Sequence, residues 1–352
     1  MLRSMSISLF AAALLAVALP VQAAPAPADE PAKIDKYLPD ETGAVFVFNL
    51  KPIRESKAYA KGLEKTISEL LKKDEVQSIL KEAGLDPLKD IDRVIFANVP
   101  GREGMGAPYL VVEGRFDPDK LAATAEALGK KYGNVKAIEI GKVKAFEVSI
   151  GPVGGHVAAI LDKHTVVFAE TKEEIEQAVE KATGKKKTAL KAKGLAKLME
   201  KMDGKEAFTA ACAAEMAVGG SVTNAGGVVT RKVNTLADEG IESVTATVTV
   251  ADVIKGKVVF TAKDAETAKA VNAKFEAGLA QATAEITREA ARQKELEPVL
   301  EVLKGIKQSS KDQTITFEGQ GTAETLEAFV KAIFMSRAVS VPAPPPLPPA
   351  RK

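Results

Sequence analysis

The 352-residue chain has no tryptophan, one cysteine and two histidines. A single thiol, Cys212, excludes an intramolecular disulfide. His156 and His164 leave little material for a zinc site or for imidazole acid–base chemistry. Aromatic residues are few, 13 Phe and 4 Tyr, so surfaces that grip sugars or bases by stacking are hard to build. An excess of charge of one sign is missing too. Lys+Arg total 49 against Asp+Glu 47, a net charge of +2, and a dedicated nucleic-acid binder carries a clear basic excess. No apolar run reaches the ~20 residues that a membrane-spanning helix needs. A Gly-x-Ser-x-Gly elbow, a phosphate-binding Walker loop and a dinucleotide fingerprint are all absent. The residues therefore point to no catalytic group, no metal and no cofactor.

What is present is an ordinary globular balance, 46% hydrophobic and 27% charged. At roughly 150 residues per domain the length predicts two domains. Residues 1–23 read as a secretory signal peptide: Arg3, an apolar run over 7–19, Pro20, then Val21, Gln22 and Ala23 before the cut. The expected location is the periplasm or cell envelope, with no integral membrane segment left after cleavage. Residues 24–33 form a Pro-rich linker, and 339–352 a polyproline II tail.

Between them a local plan recurs: strand, polar turn, helix. It occurs at 109–131, 164–182, 257–268 onward and 314–334. Thr171 with Glu174 fits a capping box, and Asp117, Asp264 and Thr322 suit helix starts. Four such units fit either an internal duplication or four independent uses of one plan. Residues 44–49 read as a near-continuously apolar, central strand. Residues 56–71 and 75–83 have helical spacing, with Leu63, Ile67, Leu70 and Leu71 on one side. Residues 135–140 and 144–149 flank a turn at Gly141 and Lys142, and 242–250 pairs with 256–262. The expected fold is α+β: two similar halves, 34–184 and 206–338, each a mainly antiparallel sheet with helices packed on one face. A Lys-rich junction, 185–205, joins them.

Certain segments resemble a broad family of uncharacterised exported bacterial proteins that are abundant as paralogues in planctomycetes. They are Tyr37-Leu38-Pro39-Asp40-Glu41 before a strand, Gly84-Leu85-Asp86-Pro87, Asp90-Ile91-Asp92-Arg93-Val94 and Gly114-Arg115-Phe116-Asp117. The late order of a long Ala-rich helix, then 300–306, then 314–320 is similar as well. The resemblance implies export and a two-part α+β fold. It carries over no functional residue.

Few side chains invite chemistry. His156 and His164 sit at opposite ends of a predicted hairpin, about 16 Å of strand apart, which suits surface residues better than a shared metal. Cys212 is expected on a buried strand face with Phe208 and Ala210. The Gly-rich segment 219–227 reads as a connection. The sharpest composition shift is 181–205, where nine lysines meet only Glu200 and Asp203, a local balance of 9 − 2 = +7. Lys185, Lys186, Lys187, Lys191 and Lys193 are the candidate contacts for an anionic cell-envelope polymer or another envelope protein. A solvated junction explains the same run. The functional expectation is an exported, non-catalytic binding or envelope structural protein of unknown ligand. A periplasmic carrier of an apolar or lipidic ligand and a hydrolase without a recognisable motif are the alternatives.

Overall fold

The computed structural model describes residues 33–56, 80, 85–99, 109–149, 155–202, 204–214 and 236–322. The expected signal peptide, the linker up to residue 32, the helices over 57–79 and 326–334, the Gly-rich 219–227 and the Pro-rich tail lie outside them.

Twelve strands form one sheet. They are β1 (Ala44–Asn49), β2 (Ile91–Asn98), β3 (Tyr109–Gly114), β4 (Val135–Ile140), β5 (Val143–Ser149), β6 (Gly155–Ile160), β7 (Thr165–Ala169), β8 (Phe208–Ala213), β9 (Ile241–Val250), β10 (Ile254–Ala262), β11 (Lys307–Lys311) and β12 (Thr314–Gly321). Their order is β11-β12-β10-β9-β8-β1-β2-β3-β7-β6-β5-β4, and every neighbouring pair is antiparallel. The fold is α+β, as expected, but a separate sheet for each half gives way to a single one. Val45 and Val47 are fully buried in a strand apolar along its length. β1 therefore gains by pairing along both edges, and it takes β2 on one side and β8 on the other.

From that seam outward each side begins with a three-strand meander. The third strand runs into a helix that crosses to the outer edge. Strands then return until the last lies antiparallel to the third: β4 to β7 on one side, β11 and β12 on the other.

Local chemistry explains the helix starts. Asp117 caps α3 (Pro118–Tyr132), accepting from the backbone N–H of Asp119 and Lys120, with Pro118 in the first turn. Gly133, at φ 69°, ends it in the left-handed conformation that glycine adopts without steric cost. Thr171 and Glu174 form the reciprocal capping box of α4 (Lys172–Ala182). Asp264 accepts from the Thr267 N–H at 2.7 Å to start α6 (Ala265–Ala290). The remaining helices are α1 (Leu50–Arg54), α2 (Pro87–Asp90), α5 (Lys193–Met199) and α7 (Glu297–Gly305).

Helices pack on both faces of the β1–β7 region, where one face was expected. Leu110, Val112, Phe146 and Phe168 pack with Leu121 and Ala125 of α3. On the opposite face Tyr109, Val111, Val45 and Val47 pack with Ile175 and Val179 of α4, Leu195 and Met199 of α5, and the chain over 34–38. The physical reason lies in β3 and β7, which are apolar at successive positions and so need cover on both sides. Each fully buried Val contributes about 1.5–3 kcal/mol. Beyond the seam, α6 sits on the α3 face, where Val271 and Phe275 meet Phe260, Ile315 and Phe317.

Candidate binding surfaces

The lysine junction is an internal fastening before it is anything else. Lys181, 5% exposed, ends α4 with its ammonium on the Leu38 carbonyl and on Asp40 at 2.8 Å. Lys186 reaches the other Asp40 oxygen at 2.9 Å, and Lys191 pairs with Glu41 at 2.8 Å. The backbone N–H of Ala189 donates to Asp40, and the Thr188 hydroxyl is 2.7 Å from the Asp35 carbonyl and 3.0 Å from that of Lys36. Burial pushes the Asp40 carboxyl up, but hydrogen bonds from Lys181 and Lys186 outweigh it and hold the pKa down at about 2. The Lys191 hydrogen bond lowers that of Glu41. On the sheet side, the buried Tyr109 hydroxyl donates to the Tyr37 carbonyl at 2.7 Å. Asp40 and Glu41 thus face the lysines from some 140 residues upstream.

Of the five candidate contacts, Lys186 and Lys191 already hold carboxylates of this chain. Lys185 and Lys187 are exposed. Lys193 opens α5, and its side chain lies outside the described residues.

The histidines are half-buried and stand at opposite ends of the β6–β7 hairpin. The His164 ring nitrogen Nδ1 lies 2.9 Å from the Gly114 carbonyl, and its backbone N–H donates to Asp162. Cys212 differs from expectation. The buried face of β8 is Thr209, Ala211 and Ala213, while Phe208, Ala210 and Cys212 are half-buried. Leu195 and Met199 of α5 lie over the first set and select it. Burial still raises the Cys212 thiol above its ordinary value. Among the described residues no group of three or more His, Cys, Asp or Glu could hold a metal ion. No helix of the described residues is long and apolar enough to cross a membrane.

A polar row crosses the α4 face at the seam. Asn49, Arg93, Glu113 and Thr165 stand side by side on β1, β2, β3 and β7. Arg93 grips one Glu113 oxygen through Nε at 2.6 Å and Nη2 at 2.5 Å, with little of either side chain exposed. Burial raises the Glu113 pKa against the pull of Arg93. On the α3 face Phe48 packs on Phe96 and Phe208, at centroid distances of 5.7 and 4.8 Å, and Phe46 and Phe48 remain 38% and 37% exposed.

The largest contrast lies further out. The α4 face of β10, β12 and β11 carries no packed helix among the described residues; α5 packs on β8 and β9. The side chains there stand in straight rows and, apart from Val259, are polar. One row is Thr247, Lys257, Glu318 and Lys307, another Thr249, Lys255 and Gln320, and a third Thr245, Val259, Thr316 and Ser309. The first row starts at Thr209, 1% exposed, whose hydroxyl has no partner among the described residues. Lys257 pairs with Glu318 at 2.9 Å, both about half exposed, and that hydrogen bond lowers the Glu318 pKa. A groove of about 370 Å³, open to solvent, runs over the first two rows, floored by Gly256 and Gly319 and flanked by Gly305. The other side of the same strands is apolar, with Phe260 and Phe317 under α6. Alternation alone separates the two surfaces.

Comparisons of the chain with protein-family models, with curated proteins and with solved structures return no match.

Proposed function

We propose that the protein is exported and acts in the cell envelope by binding, without catalysis, an extended anionic partner laid across the part of its sheet that carries no helix among the described residues. One observation carries the reading. Among the described residues, helices cover both faces of β1–β7 and the α3 face of β10–β12, but the α4 face of β10, β12 and β11 carries hydroxyls, an amide and lysines and no packed helix. A sheet face needs an apolar surface to hold a helix, and this one offers hydrogen-bonding groups instead. Export rests on the reading of residues 1–23. The lysine run supports the sign of the partner, because Lys197 and Lys201, on and just after the helix α5 that packs on β8 and β9, are exposed.

Cell fractionation tests the proposal. A mature chain beginning at Ala24 should be recovered with the envelope. High salt should release it, since the screening length falls to ~3 Å at 1 M. Recovery of the uncleaved chain in the cytoplasm refutes it.

A further inference from the structure

The partner's chemistry can be narrowed from the groove itself, and the narrowing rests on the reading above. We infer that the groove over β9, β10, β12 and β11 takes a strand of anionic polysaccharide. Lys255, Lys257 and Lys307 would meet its anionic groups, and Thr247, Thr249 and Gln320 its hydroxyls.

Four observations lead there. First, among the described residues the lining holds no aromatic or aliphatic side chain. Neither a nucleic-acid base nor a sugar ring has a stacking platform there and an acyl chain has no apolar contact, so a saccharide would be held through its hydroxyls and charges alone. Second, three lysines stand against Glu318 alone, a local balance of 3 − 1 = +2. Each lysine is a mobile point charge on a flexible stem and can follow a repeating anionic group. Third, the cations are regularly placed. Lys255 and Lys257 alternate along β10, about 7 Å apart, and Lys257 and Lys307 flank Glu318 across two strand spacings, about 10 Å. Fourth, the groove is open to solvent and floored by backbone at Gly256 and Gly319, so an extended chain can lie along it. The outer edge strand carries Lys307 and Lys311, which discourages a peptide from pairing with it as a further strand. The lysine junction is the weaker candidate because Lys186 and Lys191 already hold Asp40 and Glu41.

Glu318 gives the inference a second handle. Its carboxylate holds Lys257 and cancels part of the groove's field, so its removal should strengthen binding.

The test uses the full mature chain and sodium polygalacturonate as probe, with dextran as the neutral control and polyglutamate as the acidic peptide. Binding is followed by sedimentation at low salt. The wild type should bind polygalacturonate, ignore dextran and bind polyglutamate more weakly. The triple change Lys255→Gln, Lys257→Gln and Lys307→Gln should weaken binding by about tenfold or more. Glu318→Gln should strengthen it. Lys185→Gln with Lys187→Gln, at the exposed junction, should leave it unchanged. All substituted side chains are exposed or half-exposed, and circular dichroism confirms that each variant folds. Wild-type binding that survives the triple change overturns the groove assignment but leaves the binding function standing. Equal affinity for polyglutamate overturns the polysaccharide class. A wild type that binds neither polymer overturns the inference. A wild type that also fails to associate with isolated envelope removes the underlying reading.

Discussion

Replacing Asp40 by asparagine removes the charge around which Lys181, Lys186 and the Ala189 N–H converge. The pKa of Asp40 falls from its ordinary 3.8 to about 2 in the folded chain. A displacement of nearly two pH units is worth at most about 2.5 kcal/mol. The Lys186 side chain is 35% exposed, so screening trims that to about 1–1.5 kcal/mol. Lys181 adds to the loss, because its ammonium is buried and keeps only the Leu38 carbonyl as a full-strength partner. Stranding a buried charge costs several kcal/mol in the open limit. The amide oxygen introduced by Asp40→Asn can still accept from Lys181 and Ala189, so the expected loss at pH 7 is about 2–3 kcal/mol. The pH dependence fixes the cause. A carboxyl with a depressed folded pKa stabilises fully above its unfolded value, near 4, and loses that contribution as pH falls toward 2. Urea unfolding at several pH values should therefore show wild type and variant diverging at pH 7 and converging below pH ~3. Combining Asp40→Asn with Lys181→Met should cost less than the sum of the two. A variant as stable as wild type at pH 7, or a gap unchanged down to pH ~3, refutes the electrostatic fastening of residues 35–41.

Other expectations concern the covered parts of the fold. Cys212 should react slowly with a thiol reagent in native buffer at neutral pH and fast in denaturant, since burial raises its pKa and only the thiolate attacks; rapid native labelling contradicts this. Gly129→Ala should destabilise by about 2 kcal/mol or more, because a Cβ there would stand 2.3 Å from the Val135 carbonyl oxygen, a backbone atom that cannot turn aside. Thermal melts measure it, and an unchanged Tm shows that α3 and β4 can separate.

The elements were legible where one local rule decides them. Thr171 with Glu174, Asp117 before Pro118, and Gly141 between two alternating runs each point to a cap or a turn without help from the rest of the chain. What joins the elements was not. The β1–β8 seam pairs Ala44 with Cys212, a register that no local pattern encodes. Both parities of β8 are apolar or small, so alternation could not choose between the Cys212 set and the Thr209, Ala211, Ala213 set; α5 chose. The lysine run was visible as charge, but Asp40 and Glu41 lie too far upstream for spacing to connect them. The face that carries no helix among the described residues left a readable trace. In β9 Thr245, Thr247 and Thr249 alternate with Val244, Ala246 and Val248. Lys255 and Lys257 continue the polar set in β10, and the apolar set finds its helix in α6.

Lysine accessibility tests the binding surface most directly. The mature protein is acetylated with and without isolated anionic envelope polymer, and each lysine is read by mass spectrometry. Lys255, Lys257 and Lys307 should be protected when polymer is added, while Lys185 and Lys187 stay reactive. Protection confined to Lys185 and Lys187, or no protection at saturating polymer, contradicts this.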